Sequence, residues 1–312
     1  MLVSIIIPVY NEEKAIAPLI EKLIKTESKL SNINFEIIFV DDCSNDKTAI
    51  NLEKQKGKYP KIDLSVISLV RNYGQTTAIT AGINKATGEV LITLDADMQN
   101  DPDDIPHLLE KLNQGYDVVS GWRKNRKDKY LTRVLPSKVA NWIISRISGV
   151  KLHDYGCTIK AYRKKILDDI KLYGEMHRFI PIYVAWQGGN VIEIPVKHHA
   201  RKFGNSKYGL SKTFAVMADL IFLKFMDKQF SHPIHLFGGF ALFNFGLSII
   251  SFFVMIYFKY WLNGSFIQTP LPQLIILFIM VGVLSLFMGF IAEILMRTYY
   301  ESQNKKSYKV KK

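Results

Sequence analysis

Two cysteines, Cys43 and Cys157, are all that the 312 residues contain. A disulfide-stapled scaffold and a cysteine zinc site are therefore excluded, and nothing requires an oxidising compartment. No G-x-G-x-x-G follows the first apolar run and no G-x-x-x-x-G-K-[ST] occurs anywhere, which counts against a dinucleotide dehydrogenase and a P-loop nucleotidase. Met1 to Val9 has neither a basic leader nor a cleavage site, so it reads as a first strand and not as a signal peptide. Asp, Glu, Lys and Arg are missing from two stretches, Leu236 to Phe258 and Gln273 to Ala292. The rest of the chain mixes charge and hydrophobe as a soluble domain does. The totals are a net charge of +13 and 48% hydrophobic residues, too apolar for disorder.

Each charge-free stretch is long enough, at 1.5 Å per residue, to cross a hydrocarbon core of about 30 Å. The alternative, a buried helical hairpin, fits poorly with a joining loop that carries Pro270 and Pro272. Two transmembrane helices, 236–258 and 273–292, are therefore expected. Lys224 and Lys228 precede the first, and Arg297, Lys305, Lys306, Lys309, Lys311 and Lys312 follow the second, whereas the loop holds only Lys259. Positive residues stay inside, so the N-terminal domain and the basic tail, 297–312, are expected on the cytoplasmic side of the cell membrane.

The first 120 residues alternate apolar runs, Val3 to Val9, Phe35 to Val40, Leu64 to Val70 and Val90 to Leu94, with helix-like stretches such as Glu12 to Leu30 and Pro102 to Asn113. That rhythm predicts an α/β domain with a mostly parallel, Rossmann-like sheet, and such sheets bind ligands beyond the carboxyl ends of their strands. Tyr10, Asn11 and Glu12, then Asp41 and Asp42, then Asp95 and Asp97 all fall at those ends. In Asp95-Ala96-Asp97-Met98-Gln99 two carboxylates at i and i+2 can turn toward one hard cation, Mg²⁺ or Mn²⁺, which takes oxygen ligands together with substrate phosphates. Alone the D-x-D pattern is weak, because acidic loops are common; its place after an apolar strand strengthens it.

Ile7-Pro8-Val9-Tyr10-Asn11-Glu12, Val40-Asp41-Asp42-Cys43-Ser44 and Asp95-Ala96-Asp97-Met98-Gln99 together resemble the family-2 glycosyltransferases of GT-A fold. More closely, they resemble the branch with dolichyl-phosphate mannose synthase and the bacterial polyprenyl-phosphate transferases of the GtrB and ArnC type, over about residues 1–210. The resemblance implies that Pro8, Tyr10, Glu12, Val40 and Asp42 line a base and ribose pocket. It places Asp95, Ala96 and Asp97 at the nucleotide diphosphate, with Asp95, Asp97 and Gln99 on the metal. Arg123 matches an arginine near the donor. Arg201 and Lys207, in an R-x-x-G-x-S-K loop, match phosphate contacts, and Arg133 and Ser137 match positions that contact the lipid phosphate. Asn205 stands where the family often has Glu, and Cys43 where it often has Gly; Cys43 reads as a small buried thiol. Asp154 matches the position usually proposed as the acceptor-side base. Read without the resemblance it is a loop Asp capping a turn, and His153 a surface histidine.

Between Arg123 and Lys138 seven basic residues face one acid, Asp128. With no nucleic-acid motif and two membrane helices downstream, anionic lipid headgroups are the expected partner and nucleic acid is not. Val139, Trp142, Ile143 and Ile147 fall on one helical side, opposite Lys138, Asn141 and Ser145, which predicts an interfacial helix over 137–148. A juxtamembrane amphipathic helix over 211–230 groups Lys212, Asp219 and Asp227. Ordinary core helices are the alternative for both. Glu293 reads as a snorkelling or pairing acid.

The function expected is an inverting, metal-dependent transfer of a hexose, glucose from a UDP-sugar, to an undecaprenyl-type polyprenyl phosphate. The acceptor phosphate is already largely a dianion near neutral pH, its second pKa being about 6, so Asp154 is expected to orient a neighbour more than to take a proton. A GDP-mannose donor is the alternative within the class. A membrane-anchored nucleotide-sugar binding protein without turnover is the alternative outside it. The composition is compatible with a homo-oligomer.

Overall fold

In a computed structural model the described residues are all except 61, 127–133, 168–169, 171, 173, 201–218, 220–232, 262–264, 266–268 and 303–312. The chain divides into two units, Met1–Phe222 and Leu223–Lys312. In the first, β1 (Leu2–Val9), α1 (Ile16–Glu27), β2 (Asn34–Asp41), α2 (Thr48–Lys58), β3 (Asp63–Ser68), α3 (Gln75–Lys85) and β4 (Val90–Thr93) give the expected alternation. There follow α4 (Ile105–Asn113), β5 (Val118–Trp122), α5 (Leu135–Ser148), β6 (Lys160–Arg163), α6 (Lys164–Leu167), α7 (Ile180–Trp186) and β7 (Val191–Pro195). The seven strands run in the order β3-β2-β1-β4-β6-β5-β7, with β6 antiparallel to both neighbours and the other pairings parallel. This is the mixed, Rossmann-like sheet of the GT-A class.

The central strands β1, β2 and β4 are mainly apolar and buried because both faces are covered. From β1, Val3, Ile5, Ile7 and Val9 join one core with Leu19, Ile20 and Leu23 of α1 and Leu108 and Leu112 of α4. Ile6, one residue out of phase, joins the opposite core with Ala78 of α3 and Ile180 and Val184 of α7, as the period of two demands.

Several boundaries differ from expectation for local reasons. The third apolar run ends as a strand at Ser68, the last residue with a partner, Asp41, on β2. Val70 beyond it is 91% exposed. Helix α1 starts at Ile16 and not at Glu12, because the backbone of Asn11, Glu12 and Glu13 is tied to the loop after β2. Pro102–Asp104 forms a 3₁₀ turn ahead of α4, with Asp101 accepting from the Asp103 N–H.

In the second unit, α8 (Pro233–Trp261) and α9 (Leu271–Ser302) are long and apolar enough to cross a membrane and extend past the charge-free stretches at both ends. They pack on small residues: a Cβ at Gly282 would meet the Phe245 ring 2.5 Å away. Glu293 pairs with Arg297 one turn later at 3.2 Å, the pairing reading of that acid. The helix reaches Ser302, so the expected tail begins as helix; its remainder lies outside the described residues.

Helix α3 carries the site loop that follows β3, and it rests on β1 through a glycine. A Cβ on Gly82 would clash with Ile6 Cγ2, and Ile6 is fully buried. Gly82→Ala is expected to destabilise the full-length protein by about 1–3 kcal/mol, the usual cost of overpacking, read as a lower Tm in detergent. An unchanged Tm would mean that α3 is not seated on β1 in this way.

Candidate active site at the carboxyl edge of the sheet

Four loops leave the carboxyl ends of β1 to β4, and each contains a residue in the left-handed region: Asn11 (φ 53°), Cys43 (φ 62°), Gly74 (φ 92°) and Met98 (φ 59°). Three of these are not glycine. Each costs about 1–2 kcal/mol, a cost that clusters where loops are bent to present groups. Cys43 is half-buried and not the buried thiol expected. Its left-handed backbone explains why glycine suits that position.

The first two loops are stitched together. The Asn11 N–H donates to Ser44 Oγ (2.9 Å) and the Glu12 N–H to Thr48 Oγ1 (2.9 Å), while Asn11 Oδ1 accepts from the Asn45 N–H (2.7 Å). Asp42 then reaches the third loop, its two oxygens accepting from the N–H groups of Tyr73 (2.7 Å) and Gly74 (2.8 Å). Gln75, next in sequence, donates from Nε2 to Asp95 Oδ1 (2.7 Å). A chain of bonds thus runs from the acidic pair after β2 to the D-x-D loop after β4. Pro8, Tyr10 and Glu12 are partly exposed along this edge. The Val40 side chain is fully buried in the α3-side core, leaving its backbone at the end of β2. The Ala96 side chain is likewise buried in the α1-side core, leaving its backbone for the D-x-D turn.

Asp97 Oδ1 accepts from the Gln99 N–H (3.1 Å), and the Gln99 side-chain amide extends toward the His199 carbonyl at 3.5 Å. Burial and then the Asp97 carboxylate push the Asp95 pKa up, while Arg123 and Arg178 act the other way. Two crowded carboxylates are the donor set of a hard divalent cation. Among the described residues no cluster of three His, Cys, Asp or Glu side chains could cage such an ion. The pair therefore fits a cation that substrate oxygens complete. The D-x-D loop is zipped to the segment after β7: Asn100 bridges His198, the His199 N–H donates to Gln99 O (2.8 Å), and His199 Nε2 lies 2.8 Å from Asp101 Oδ2. Arg201 and Lys207 follow directly in the chain and, like Arg133, lie outside the described residues.

Asp154 is 3% exposed and grips Arg123. Nε donates to Oδ2 (2.7 Å), Nη2 to Oδ1 (2.9 Å) and the Arg123 backbone N–H to Oδ2 (3.3 Å). Burial alone would raise the Asp154 pKa; Arg123, helped by Arg126, more than offsets it and holds the group below the ordinary value. Glu193 of β7 fixes the Asp154 loop by accepting from the N–H groups of His153 and Asp154. His153 stacks on Trp122 at 4.4 Å. Arg126 Nη1 donates to Ser137 Oγ (3.0 Å), which brings the first turn of α5 to the same cluster.

Helix α5 turns its polar residues inward. Asn141 donates to His153 O and Ser145 Oγ to Leu152 O, whereas Leu135, Val139 and Trp142 are exposed beside the exposed Lys138 and Arg146. Ile143 and Ile147 are partly buried. From the expected second amphipathic helix only Asp219 is described, and it accepts from the Glu175 N–H (2.8 Å); Lys212 and Asp227 lie outside the described residues.

Four polar residues at this site were not singled out from the sequence. Gln75 has been described. His177 is buried and shares a hydrogen bond with Thr76 Oγ1 (2.7 Å). Lys160, 2% exposed, donates to Tyr155 O (3.0 Å), and burial lowers its pKa to about 8. Arg178 stands near Glu175, its Nε 3.5 Å from Oε2. Only charge embedded in an apolar stretch, Met176-His177-Arg178-Phe179, could have marked the last segment.

A model of glycosyl transferase family 2 matches residues 4–171. The chain belongs to that family. It is 40% identical to a dodecaprenyl-phosphate galacturonate synthase of Rhizobium johnstonii, over 99% of this chain and 91% of that protein. It is 38% identical to an undecaprenyl-phosphate 4-deoxy-4-formamido-L-arabinose transferase of Pectobacterium atrosepticum, over 99% and 93%. Among solved structures, glucosyl-3-phosphoglycerate synthase of Mycobacterium tuberculosis with Mg²⁺ and UDP aligns with a TM-score of 0.54 at 16% identity, covering 72% of this chain and 79% of that one; the likeness is one of fold. Within the family frame the chain is a glycosyltransferase.

The Asp154–Arg123 pair sets a pH signature. With its folded pKa lowered, Asp154 contributes stability that is complete above its unfolded value of about 4 and is lost only as pH falls through the folded value. Asp154→Asn breaks a buried pair, at a cost of about 3–5 kcal/mol, and this loss of stability should be the same at about pH 5.5 and pH 8. The rate defect should also be constant between them. A rate defect that grows toward pH 5.5 would identify the carboxylate as a proton acceptor instead.

Proposed function

We propose that this family-2 glycosyltransferase moves a sugar from a nucleoside diphosphate to a polyprenyl phosphate at the cytoplasmic membrane surface, with inversion. The observation that carries the reading is the juxtaposition at one sheet edge of the D-x-D carboxylates, the Arg123, Arg126, Asp154 and Ser137 cluster, and a helix that turns Leu135, Val139 and Trp142 outward. Carboxylates suit a cation on a diphosphate, guanidiniums suit phosphates, and an outward apolar stripe flanked by Lys138 and Arg146 suits an interface with anionic lipid. The names of both relatives pair a polyprenyl phosphate with a sugar, which supports the acceptor. UDP in the solved fold relative supports the nucleotide.

In this reading Asp95, Asp97 and Gln99 hold Mg²⁺ or Mn²⁺, which when bound neutralises charge on the departing diphosphate. Tyr10, Glu12 and the loop pinned by Asp42 hold the nucleoside. Arg201 and Lys207 meet the donor phosphates, and Arg133 and Ser137 the lipid phosphate. Asp154 holds the Arg123 fork so that its charge faces the reacting phosphates without a search through rotamers. The acceptor dianion needs no base: its oxygen attacks the anomeric carbon opposite the diphosphate. Orientation follows the positive-inside pattern, with the catalytic unit and the tail cytoplasmic. The sugar is read as a hexose or hexose-derived unit. Glucose in particular has no counterpart in the relatives' names, which carry galacturonate and formamido-arabinose.

The full-length protein, offered a panel of UDP- and GDP-sugars, should release nucleoside diphosphate only when both a divalent cation and a polyprenyl phosphate are present. Asp97→Asn should lower turnover by orders of magnitude without lowering Tm, since Asn keeps the Oδ1 acceptor for the Gln99 N–H and removes one of two crowded charges, and should cost more than Asp154→Asn at about pH 8. Nucleotide-sugar binding without release under any combination would favour the non-catalytic alternative.

A further inference from the structure

Arg178 reaches the site from a segment far from every motif above, and it is held there by contacts on both sides. It sits on the 3₁₀ turn Met176–Phe179, whose Met176, His177 and Phe179 side chains are buried. His177 ties the turn to Thr76 of α3 (2.7 Å). One residue before the turn, the Glu175 N–H donates to Asp219 (2.8 Å). An arginine on so constrained a turn loses little freedom when it binds, which is how a preorganised anion site is made.

The place it reaches is defined by Gly156. A Cβ built on that glycine would lie 3.2 Å from Arg123 Nη2, 3.7 Å from Arg178 Nη1 and 3.6 Å from Asp154 Oδ1. Two guanidiniums therefore converge on one point from different strands of the chain. Their side chains are 15% and 14% exposed, so each is largely desolvated. The Asp154 carboxylate beside them has both oxygens engaged by Arg123, Glu175 lies 3.5 Å from Arg178 Nε, and Arg126 adds a third positive charge close enough to act on Asp154. Like charges brought together out of water are unfavourable unless an anion belongs among them. Gly156 keeps the approach clear.

We propose that Arg178 and Arg123 together form a two-guanidinium site for a substrate phosphate at Gly156. The ligand chemistry is a phosphate oxyanion, from the donor diphosphate or from the acceptor phosphomonoester. Naming those two sources rests on the function proposed above.

The test uses the full-length protein in nanodiscs, with Arg178→Gln, Arg178→Lys and Gly156→Ala. UDP with Mn²⁺, and inorganic phosphate, are the calorimetric probes; KM for the nucleotide sugar and for polyprenyl phosphate are the kinetic ones. Arg178→Gln should weaken one phosphate-bearing partner by about 10- to 100-fold, the range of a charge-assisted hydrogen bond, and Arg178→Lys should recover part of it. A weaker UDP affinity with the acceptor KM within about twofold assigns the site to the donor. A raised acceptor KM with UDP affinity unchanged assigns it to the acceptor. Gly156→Ala keeps both arginines and places a methyl group between them, so it should weaken the same partner even if Arg178→Gln fails to fold. Binding and KM values within about twofold of wild type in the variants that fold, or a Tm loss alone, would overturn the site. A wild type that binds both probes but transfers no sugar to polyprenyl phosphate would contradict the proposed function and leave this site standing.

Discussion

The arrangement turns on a repulsion. Asp95 and Asp97 stand two residues apart at the end of a buried strand, and burial together with the Asp97 charge pushes the Asp95 carboxyl above its ordinary value. Such a pair persists only if neighbours hold both carboxylates in place. Gln75 holds one and the Gln99 N–H the other. Gln75 is itself set by the loop that Asp42 pins, and that loop stands on α3, which rests on β1 through Gly82. The left-handed residues after β1 to β4 are the backbone cost of bringing these loops together.

The antiparallel half of the sheet supplies the opposite charge. Inserting β6 between β4 and β5 brings Arg123, at the end of β5, and Asp154, shortly before β6, into a bidentate contact beside the D-x-D loop. Glu193 on β7 then fixes the Asp154 loop. Carboxylates on one side and guanidiniums on the other suit a reaction in which a cationic centre passes between two phosphates. In the proposed function alignment and charge do most of the catalysis, and Asp154 is proposed to act through the arginine it holds.

Much of this was legible in the sequence because it lies in local patterns. The apolar runs before Tyr10, Asp41 and Asp95 announce parallel strands and their functional ends, and the charge-free stretches announce α8 and α9. The sequence does not show which way Val40 faces; the strand's alternation sends its side chain to the core. The sequence predicts an amphipathic helix at α5, but only the fold shows that Asn141 and Ser145 face inward while Lys138 is exposed, since their partners, His153 and Leu152, come from the next loop. Gln75, Lys160, His177 and Arg178 carry no spacing signal; they matter because β6 pairs with β4 and the turn after α6 is tied to α3, and contacts so distant in sequence leave no periodic trace.

Mn²⁺ affinity of the full-length protein with and without UDP, read by the loss of the free-ion paramagnetic signal, tests the central claim most directly. Two repelling carboxylates helped only by the neutral Gln99 amide should bind Mn²⁺ weakly alone and at least about tenfold more tightly with UDP, and by linkage Mn²⁺ should tighten UDP by the same factor. Equal Mn²⁺ affinity in both conditions, or tight binding that survives Asp95→Asn with Asp97→Asn, would contradict a site in which the substrate diphosphate completes the metal's shell.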